Sequence, residues 1–488
     1  FADVPATHPF APWIEQLARE NITAGCATNP PHFCPQNPVT RAHMAAFLGA
    51  NFFLASNHCR FSQLLRINAP FFGTQEVRFD EMAVAWFGQL NEQSNHADIR
   101  VGFNQQELYV YLASFDRHLW FDPTPAPGEL TEWDAVTLLL DTAGSGVAPP
   151  HRFRFTAQLF GEPSPAHRAS WVWQSDTWQL ADLPFSAVPG WRGVALNDNG
   201  EPDRGWAMGF RIPWASLNLS SPPALGALWR MALILHDRDW QGGPPVGDQS
   251  WPPGATANGV SCWGLLRFGL PSWQPARTPA GTATIRRPTS TSSEVPDADV
   301  GGTTSNQCPG DEFHIWNLWP NLNWGTSGDV NVQNQSDVAD WPCFSRYYVT
   351  FPLTAVPPNK HIVSATLTLH QFGNAGGSLA LPSWIQVLIA SGPWEEHLIT
   401  WNNAPLALEN VGGAWVDRID VFPGWPGVPR SWDVSYAVAR AYALGEPVRL
   451  VLYTADSAYH SGKYFVSSDT GDWNSEGRPT LTVVWGDP

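Results

Sequence analysis

The sequence predicts a mainly β protein: two β-sandwich domains, jelly-roll-like, preceded by a small helical unit. From about residue 51 onward, short apolar runs alternate with polar residues, which is typical of strands that bury one face. The 488 residues include 45 prolines and 41 glycines, which supply turns between such strands. In the first 50 residues the apolar spacing is helical. We therefore expect domains at 1–50, 51–275 and 276–488.

The composition of the chain excludes some classes of binding partner. The net charge is −17, and Lys360 and Lys463 are the only lysines among 27 basic residues, so no dense basic surface for nucleic acid is expected. No apolar run has the length of a membrane helix. The chain opens at Phe1 inside a patterned segment, from which we expect that a secretory signal has been removed. These features favour a secreted, extracellular protein at the cell surface.

The six cysteines also indicate an extracellular location. None forms a CxxC pair, so zinc and redox sites are disfavoured. Fifteen pairings are conceivable for six cysteines, and the domain boundaries select one of them. An even number of cysteines paired within domains indicates an oxidising environment. The predicted disulfides are Cys26–Cys34, Cys59–Cys262 and Cys308–Cys343.

The N-terminal unit is predicted to contain two short helices around a proline-rich loop. Residues 11–20 carry Trp13, Ile14 and Leu17 at helical spacing. Thr40 caps a second helix, whose apolar face consists of Met44, Phe47 and Leu48.

This unit resembles an S-layer homology (SLH) repeat. The resemblance covers about 50 residues, and it departs from the family in having His43 in place of an acidic residue and only one repeat. Because three repeats form the wall-polysaccharide site of that family, the resemblance implies either a partial wall contact through Arg41 or completion by neighbouring subunits. The matching residues are Phe1-Ala2-Asp3-Val4, Asn21-Ile22-Thr23-Ala24-Gly25, Phe33, Pro35 and Val39-Thr40-Arg41-Ala42.

The second block is predicted to be a sandwich with strands at 107–112, 134–141, 207–212 and 229–235. It resembles the family 9 carbohydrate-binding module and the related DOMON sandwiches. The matching positions mainly belong to the framework of the fold. The resemblance therefore implies the sandwich fold more strongly than it implies a sugar-binding site. They include Asp98-Ile99-Arg100-Val101-Gly102-Phe103, Asp116, Trp133-Asp134-Ala135-Val136 and Phe210-Arg211-Ile212-Pro213-Trp214.

The third block follows a connector at 270–296, of which 282–286 could be a first strand. Strands are predicted at 347–351, 364–369, 449–453 and 480–485, and a helix at 434–444 ended by Gly445. The block resembles the DNRLRE-type sandwich, a family grouped with carbohydrate-binding modules of extracellular proteins. The matching residues include Asp297-Ala298-Asp299-Val300, Arg346, Ile399-Thr400-Trp401-Asn402-Asn403-Ala404-Pro405, Trp432-Asp433-Val434 and Arg478-Pro479-Thr480-Leu481.

Motifs for catalysis are weak, so we expect a non-enzyme. The sequence has no GxSxG, HExxH or glycine-rich phosphate loop. Glu395 and Glu396 would point to opposite faces of a strand and could not work as a pair. Asp237 and Asp239 share a face beside His236, which is compatible with a metal or sugar-hydroxyl contact and also with a hydrogen-bond network at a sheet edge.

Calcium is the only cofactor the sequence suggests. Oxygen-rich turns hold Asp198 and Asp203 in one place and Asp469 and Asp472 in another, and such ligands suit this cation. Neither turn has EF-hand spacing, so plain solvated turns are the alternative.

Tryptophans supply the candidate contact residues. Trp316, Trp319 and Trp324 alternate with amides in a predicted loop, and Trp425 lies in a second aromatic stretch. Exposed indoles stack on sugars, anchor protein partners or pack internally, and the pattern leaves all three readings open.

These observations favour a non-catalytic structural subunit of a bacterial surface assembly, a filament or a surface layer, whose main partner is copies of itself. A surface glycan-binding adhesin or scaffold that binds cell-wall or extracellular polysaccharide is the alternative. An accessory module of a polysaccharide-active enzyme is third.

Overall fold

The computed structural model describes residues 2–5, 27–28, 31–33, 64–92, 94–143, 149–161, 165–275, 278–302, 304, 314–334, 344–456 and 461–487. The chain divides into two compact units, 1–63 and 64–488. In the first unit, β1 (Ala27–Thr28) and β2 (Pro31–His32) pair antiparallel, and the amide of Phe33 donates to Asp3 at 2.7 Å. The two helices expected in this unit, and Arg41 with them, lie outside the described residues.

The first sandwich consists of sheet I with eight strands and sheet II with five. Sheet I runs in the order β10 (Thr177–Ala181), β9 (Arg168–Gln174), β8 (Arg152–Gln158), β7 (Ala135–Asp141), β13 (Leu228–Asp237), β15 (Gly264–Phe268) and β3 (Arg66–Ala69), with β14 (Val246–Trp251) paired to β13. Sheet II runs in the order β11 (Ser186–Arg192), β12 (Gly205–Pro213), β6 (Glu107–Phe115), β5 (His96–Phe103) and β4 (Ala83–Phe87). β15 and β3 pair in parallel. Phe103 of sheet II meets Phe268 of sheet I with ring centroids 5.0 Å apart.

The second sandwich consists of sheets III and IV. Sheet III runs in the order β16 (Gly281–Ile285), β26 (Thr480–Gly486), β20 (His361–Asn374), β25 (Lys463–Val466) and β18 (Asp329–Val332), with β23 (Val428–Asp433) paired to β20. Sheet IV runs in the order β17 (Asp297–Gly301), β19 (Ser345–Phe351), β24 (Val448–Thr454), β21 (Ser383–Ala390) and β22 (Ala407–Val416). Alternation turns Leu367 and Leu481 of sheet III toward Val349 and Leu450 of sheet IV, and together they form one apolar core.

The described residues of this sandwich contain two helices, α1 (His314–Asn317) and α2 (Ser435–Leu444). The expectation of a mainly β fold is confirmed, and each predicted strand coincides with an observed one, often extended by a few residues. α2 matches the predicted helix and ends at Gly445. None of the helices among the described residues is long and apolar enough to cross a membrane.

The two sandwiches contact each other through sheet IV of the second, which meets sheet II and also strand β3 of sheet I in the first. Trp86 and Phe115 of the first pack in one apolar cluster with Trp401 and Tyr453 of the second. Hydrogen bonds between polar residues also connect the two sandwiches. The Gln386 side chain donates to the Met82 carbonyl at 2.7 Å, and Asn68 and Asn410 exchange hydrogen bonds of 2.8 and 2.9 Å between backbone and side chain. The region 64–488 is therefore built as a single body around two sandwich cores and this shared contact.

Cys262 ends a short 3₁₀ turn, Val260–Cys262, and is disulfide-bonded. The other five cysteines, Cys26, Cys34, Cys59, Cys308 and Cys343, lie outside the described residues, so the pairing stays a prediction.

Candidate functional site

Five aromatic side chains, three of them exposed and two half-buried, form one surface on the second sandwich. We call Phe372, Phe422, Trp425, Tyr464 and Trp473 the aromatic surface. Along β20, Leu369 and Gln371 are buried and Phe372 takes the opposite, outer face. Tyr464 is the outward residue of β25, beside buried Phe465, and its ring lies 6.2 Å from that of Phe372. Strand alternation, together with an irregularity in the pairing of β20 with β25 between Gln371 and Gly373, places the two rings side by side on the outside of sheet III.

The loop before β23 adds two more rings. Trp425 lies 5.4 Å from Phe372 and 5.2 Å from Phe422, measured between ring centroids. Two glycines make this placement possible. Gly424 and Gly427 have φ of +80° and +102°, and a Cβ at Gly427 would lie 2.7 Å from the Gln371 carbonyl oxygen. The close approach of the loop to β20 holds Trp425 over the sheet.

Trp473 completes the surface from a 3₁₀ segment, Asp472–Gly477. Its ring is 5.4 Å from Trp425, and the two planes meet at 79°. Asp472 accepts hydrogen bonds from the Arg478 guanidinium and the Ser290 amide, which fixes this turn. Trp473, Phe422 and Trp425 have 69%, 54% and 48% of their surface exposed. Single exposed apolar side chains are common on this protein, but rings in contact with one another form a contiguous apolar patch, and such patches often mark interaction sites.

Hydroxyl groups continue the same outer face. Thr284, Thr482 and Thr366 stand in register across β16, β26 and β20. In the next row, the hydroxyls of Thr368 and Ser431 lie 3.2 Å apart. Such groups both donate and accept hydrogen bonds, so the face combines ring surfaces with polar partners.

The three indoles predicted to share a loop have different environments. The predicted loop is wrong in part, because residues 314–317 form α1 and Trp319–Asn321 a 3₁₀ turn. Trp319 is 1% exposed within the cluster between the sandwiches, so it packs internally. Trp324 is half-buried and donates its indole N–H to Gly301 at 2.8 Å. Trp316 is half-buried, 6.1 Å from Phe115, and borders a cleft described below.

The four aspartates suggested as calcium ligands are held by protein donors. Asp203 is buried, and its two oxygens accept from the amides of Leu119 and Val194 at 3.2 and 3.1 Å. Asp198 is exposed and accepts from Gly200 at 3.0 Å, which is the bond of a plain turn. Asp469 accepts from Arg287 at 2.6 Å, whereas Asp472 pairs with Arg478.

Among the described residues, carboxylates gather in two groups of three whose oxygens lie within 4.8 Å of one another: Asp297 with Glu396 and Asp469, and Asp116 with Asp237 and Asp239. In the first group, Arg287 bonds to both Glu396 and Asp469. Asp297 accepts from the Tyr347 hydroxyl at 2.6 Å and the Ser468 amide at 2.8 Å. Burial raises the pKa of Asp297 to about 7. This group resembles an internal ion-pair network.

Sequence reasoning found Trp425 and Phe422, which lie in one aromatic stretch, and missed Phe372, Tyr464 and Trp473. The sequence signal for Phe372 and Tyr464 is the alternation of inward and outward positions along a strand. Each is an aromatic residue at an outward position, next to a buried residue of the same strand. Trp473 gave no such signal, because it lies in a turn.

Comparison with known proteins gives one family match. Residues 309–483 match the model of carbohydrate-binding module family 96. This range contains the whole aromatic surface and coincides with the block for which a carbohydrate-binding-module-like sandwich was predicted. No curated protein matches the chain.

Solved structures with some similarity include a candidate carbohydrate-binding protein from Bacteroides uniformis, 11% identical, covering 42% of this chain and 100% of its own, with a TM-score of 0.30. A family 9 carbohydrate-binding module from Caldicellulosiruptor kristjanssonii is similar in its cellotriose and glucose complexes, at 14% and 15% identity. These cover 44% and 43% of this chain and 99% of the module, with TM-scores of 0.28. TM-scores this low do not establish a shared fold. The C-terminal sandwich is thus similar in sequence to a carbohydrate-binding module.

Proposed function

We propose that this chain is a non-catalytic extracellular protein that binds carbohydrate through the aromatic surface. The observation that carries the proposal is the exposure of Trp425 and Trp473 in contact with each other, within the range matched by family 96. Indole faces stack against the C–H faces of sugar rings, and the adjoining hydroxyl-bearing strands supply hydrogen-bond partners.

The arrangement of the rings suggests the shape of the ligand. Trp425 and Trp473 meet at 79°, and Phe422 meets Trp425 at 72°. Because neighbouring rings are nearly perpendicular, the binding surface that they form is a corner and not a flat platform. A corner suits one or two units of a chain end, or a bent polysaccharide, better than the flat face of a crystalline polymer.

Substitution of the two indoles tests this proposal. Binding of the full chain to a panel of soluble and wall-derived polysaccharides would be measured by affinity electrophoresis and calorimetry. We expect Trp425→Ala and Trp473→Ala each to weaken binding by about tenfold, because each removes a stacking face.

Trp415→Ala is the matched control. Trp415 is 47% exposed on the same sandwich, but its ring partner is Trp384, outside the aromatic surface. Its substitution should leave binding unchanged. Absence of binding to every polysaccharide, or equal losses in all three variants, would refute the proposal.

A second candidate is a structural subunit of a bacterial filament or surface layer that contacts copies of itself. It is favoured by Val421 and Phe422, 79% and 54% exposed, which offer apolar area with no polar group for a sugar. Electron microscopy of concentrated protein would reveal polymers that Phe422→Ser abolishes. Particles that stay monomeric at every concentration would exclude this candidate.

The remaining features are part of the same proposal. The N-terminal unit would act as a single SLH-like element, in contact with wall polysaccharide or neighbouring subunits, and residues 51–275 as a family 9-like sandwich. Cell-surface location and the three disulfides would make the protein durable outside the cell. An accessory role beside a polysaccharide-active enzyme is the third option.

A further inference from the structure

The second group of carboxylates lies at one end of the first sandwich. Asp116 directly follows β6 of sheet II, Asp237 is the last residue of β13 of sheet I, and Asp239 lies two residues on. Their oxygens lie within 4.8 Å of one another although they come from different sheets. Like charges so close together repel strongly away from bulk water.

Two of these oxygens have no protein partner. Asp237 uses one oxygen to accept from the Asn95 side chain at 2.9 Å, and Asp116 uses one to accept from the His118 amide at 3.0 Å. Asp237 Oδ1 and Asp116 Oδ2 accept no hydrogen bond from the described residues, although the two residues are only 4% and 1% exposed. Buried carboxylate oxygens normally have a hydrogen-bond or metal partner, and these two belong to residues that line one acidic cleft, which favours a cation as their common partner.

The adjacent arginine does not neutralise the group. Arg238 follows Asp237 in the chain, but its guanidinium donates to the carbonyls of Glu132 and Gly243 and lies 4.6 Å from the Trp133 ring. Arg117 and His118 are the basic side chains among the described residues of the cleft wall. A positive ligand would compensate the remaining negative charge.

The carboxylates open into a cleft of about 380 Å³ between the two sandwiches. Four acidic side chains, counting Glu92, and one arginine, Arg117, line it. Ser94 and Asn95 add neutral oxygens, and Trp316 of the second sandwich forms part of the wall. Space and oxygen ligands suit a cation that keeps waters in a variable coordination shell.

We propose that Asp116, Asp237 and Asp239 bind one Ca²⁺ ion in this cleft. Zn²⁺ fits less well, because it prefers nitrogen and sulfur ligands and His118 is the only such side chain among the described residues that line the cleft. The ion would join the ends of β6 and β13, and thereby fasten sheet I to sheet II beside the second sandwich.

Calorimetric titration of the chelator-treated full chain with CaCl₂ tests the site. We expect one ion per chain, with a dissociation constant between about 10⁻⁵ and 10⁻³ M, and a higher Tm in Ca²⁺. Asp237→Asn and Asp239→Asn should each weaken binding at least about tenfold, because each removes a charged ligand.

A second readout separates a ligand from a merely structural carboxylate. In EDTA, Asp239→Asn should have a Tm equal to or above that of the wild type, since it removes one of three carboxylates whose close approach is unfavourable without a cation. In Ca²⁺ its Tm should fall below that of the wild type. A structural role would lower the Tm in both media.

Asp472→Asn and Asp198→Asn are the controls, because both residues are exposed and lie outside the group. Neither should change Ca²⁺ binding. The proposal is overturned if the wild type binds no Ca²⁺ at about 10 mM, well above the usual range for extracellular sites. It is equally overturned if both variants of the cleft retain full affinity, or if Asp472→Asn weakens binding as much as they do.

Discussion

Arg346 lies at the boundary between the two sandwiches, with its guanidinium carbon 3.8 Å from the ring centroid of Trp401 and 4.3 Å from that of Trp86. The residue is fully buried, and its Nε and Nη1 have no hydrogen-bond acceptor among the described residues. The negative quadrupoles of the ring faces stabilise this buried cation, together with the charge of nearby Asp98. Because Trp86 belongs to the first sandwich and Trp401 to the second, this one side chain contacts both.

Arg346→Lys therefore should destabilise the protein although the charge is conserved. An ammonium group cannot lie flat between two indoles, and it is more strongly hydrated than a guanidinium. We expect a loss of about 2 kcal/mol in the free energy of unfolding, measured by urea denaturation. Arg449→Lys, at a more exposed ion pair with Glu446, is the control and should lie within about 0.5 kcal/mol of the wild type. Equal stabilities for the two variants would contradict the stacking argument.

At the scale of elements, α2 illustrates how one residue ends a helix. Gly445 has φ of +68°, and its amide donates to the Tyr442 carbonyl at 3.1 Å while the Glu446 amide donates to Ala441 at 3.0 Å. This left-handed cap satisfies carbonyls that would otherwise lack donors at the helix end.

Gly445→Ala should cost about 1 kcal/mol of stability. The cost is one of backbone conformation alone, because nothing lies within 4 Å of the Cβ that the substitution would add. Thermal unfolding of the variant beside Gly392→Ala measures it, since Gly392 is equally open and has an ordinary φ. If both variants unfold at the same temperature, the cap does not contribute as argued.

The strands were predictable because each buries one face, so its local sequence carries the period of two. β6, β12 and β13 all followed from that pattern. The predicted loop around Trp319 failed for a different reason. Its indole is buried against residues hundreds of positions away, including Trp86, and local sequence does not encode such distant packing.

The candidate sites also depend on distant packing that the local sequence does not encode. The spacing of Asp237 and Asp239 put both on one face of the chain, but Asp116 lies more than 100 positions before them, and no spacing rule connects it with that pair. Trp425 and Trp319 look alike in sequence, yet one is 48% and the other 1% exposed. Aromatic composition predicts that some rings bind ligands but cannot say which, because exposure depends on the packing of whole sheets.

The molecule as a whole joins two sandwich cores through polar groups as well as apolar ones. Asp98 of sheet II accepts from the Tyr453 hydroxyl at 2.8 Å and from Asn334 at 2.9 Å, both in the second sandwich. Burial opposes ionisation of Asp98, but the His96 hydrogen bond and the charges of Arg100 and Arg346 outweigh it and lower its pKa. A contact this dependent on buried hydrogen bonds specifies one relative placement of the sandwiches.

Buried ionisable groups also determine how stability depends on pH. Burial raises the pKa of Asp297 to about 7 and that of Asp456 to about 6, against about 3.9 in an unfolded chain. Between pH 4 and these values the folded state binds more protons than the unfolded state, so stability falls as pH rises. Burial lowers the pKa of Lys463 to about 8, and above that pH the unfolded state holds the extra proton, so stability rises.

The free energy of unfolding in EDTA should therefore be higher at about pH 5 than at about pH 7.5 and recover in part toward pH 9. Each carboxyl contributes up to about 1.4 kcal/mol per pH unit within its window. Asp297→Asn should flatten the fall between pH 5 and 7, because Asn cannot release a proton. Asp487→Asn, at an exposed ion pair with Lys360, should leave the curve unchanged. If the stability of Asp297→Asn falls between pH 5 and 7 with the same slope as that of the wild type, Asp297 is already ionised in the folded protein at pH 5.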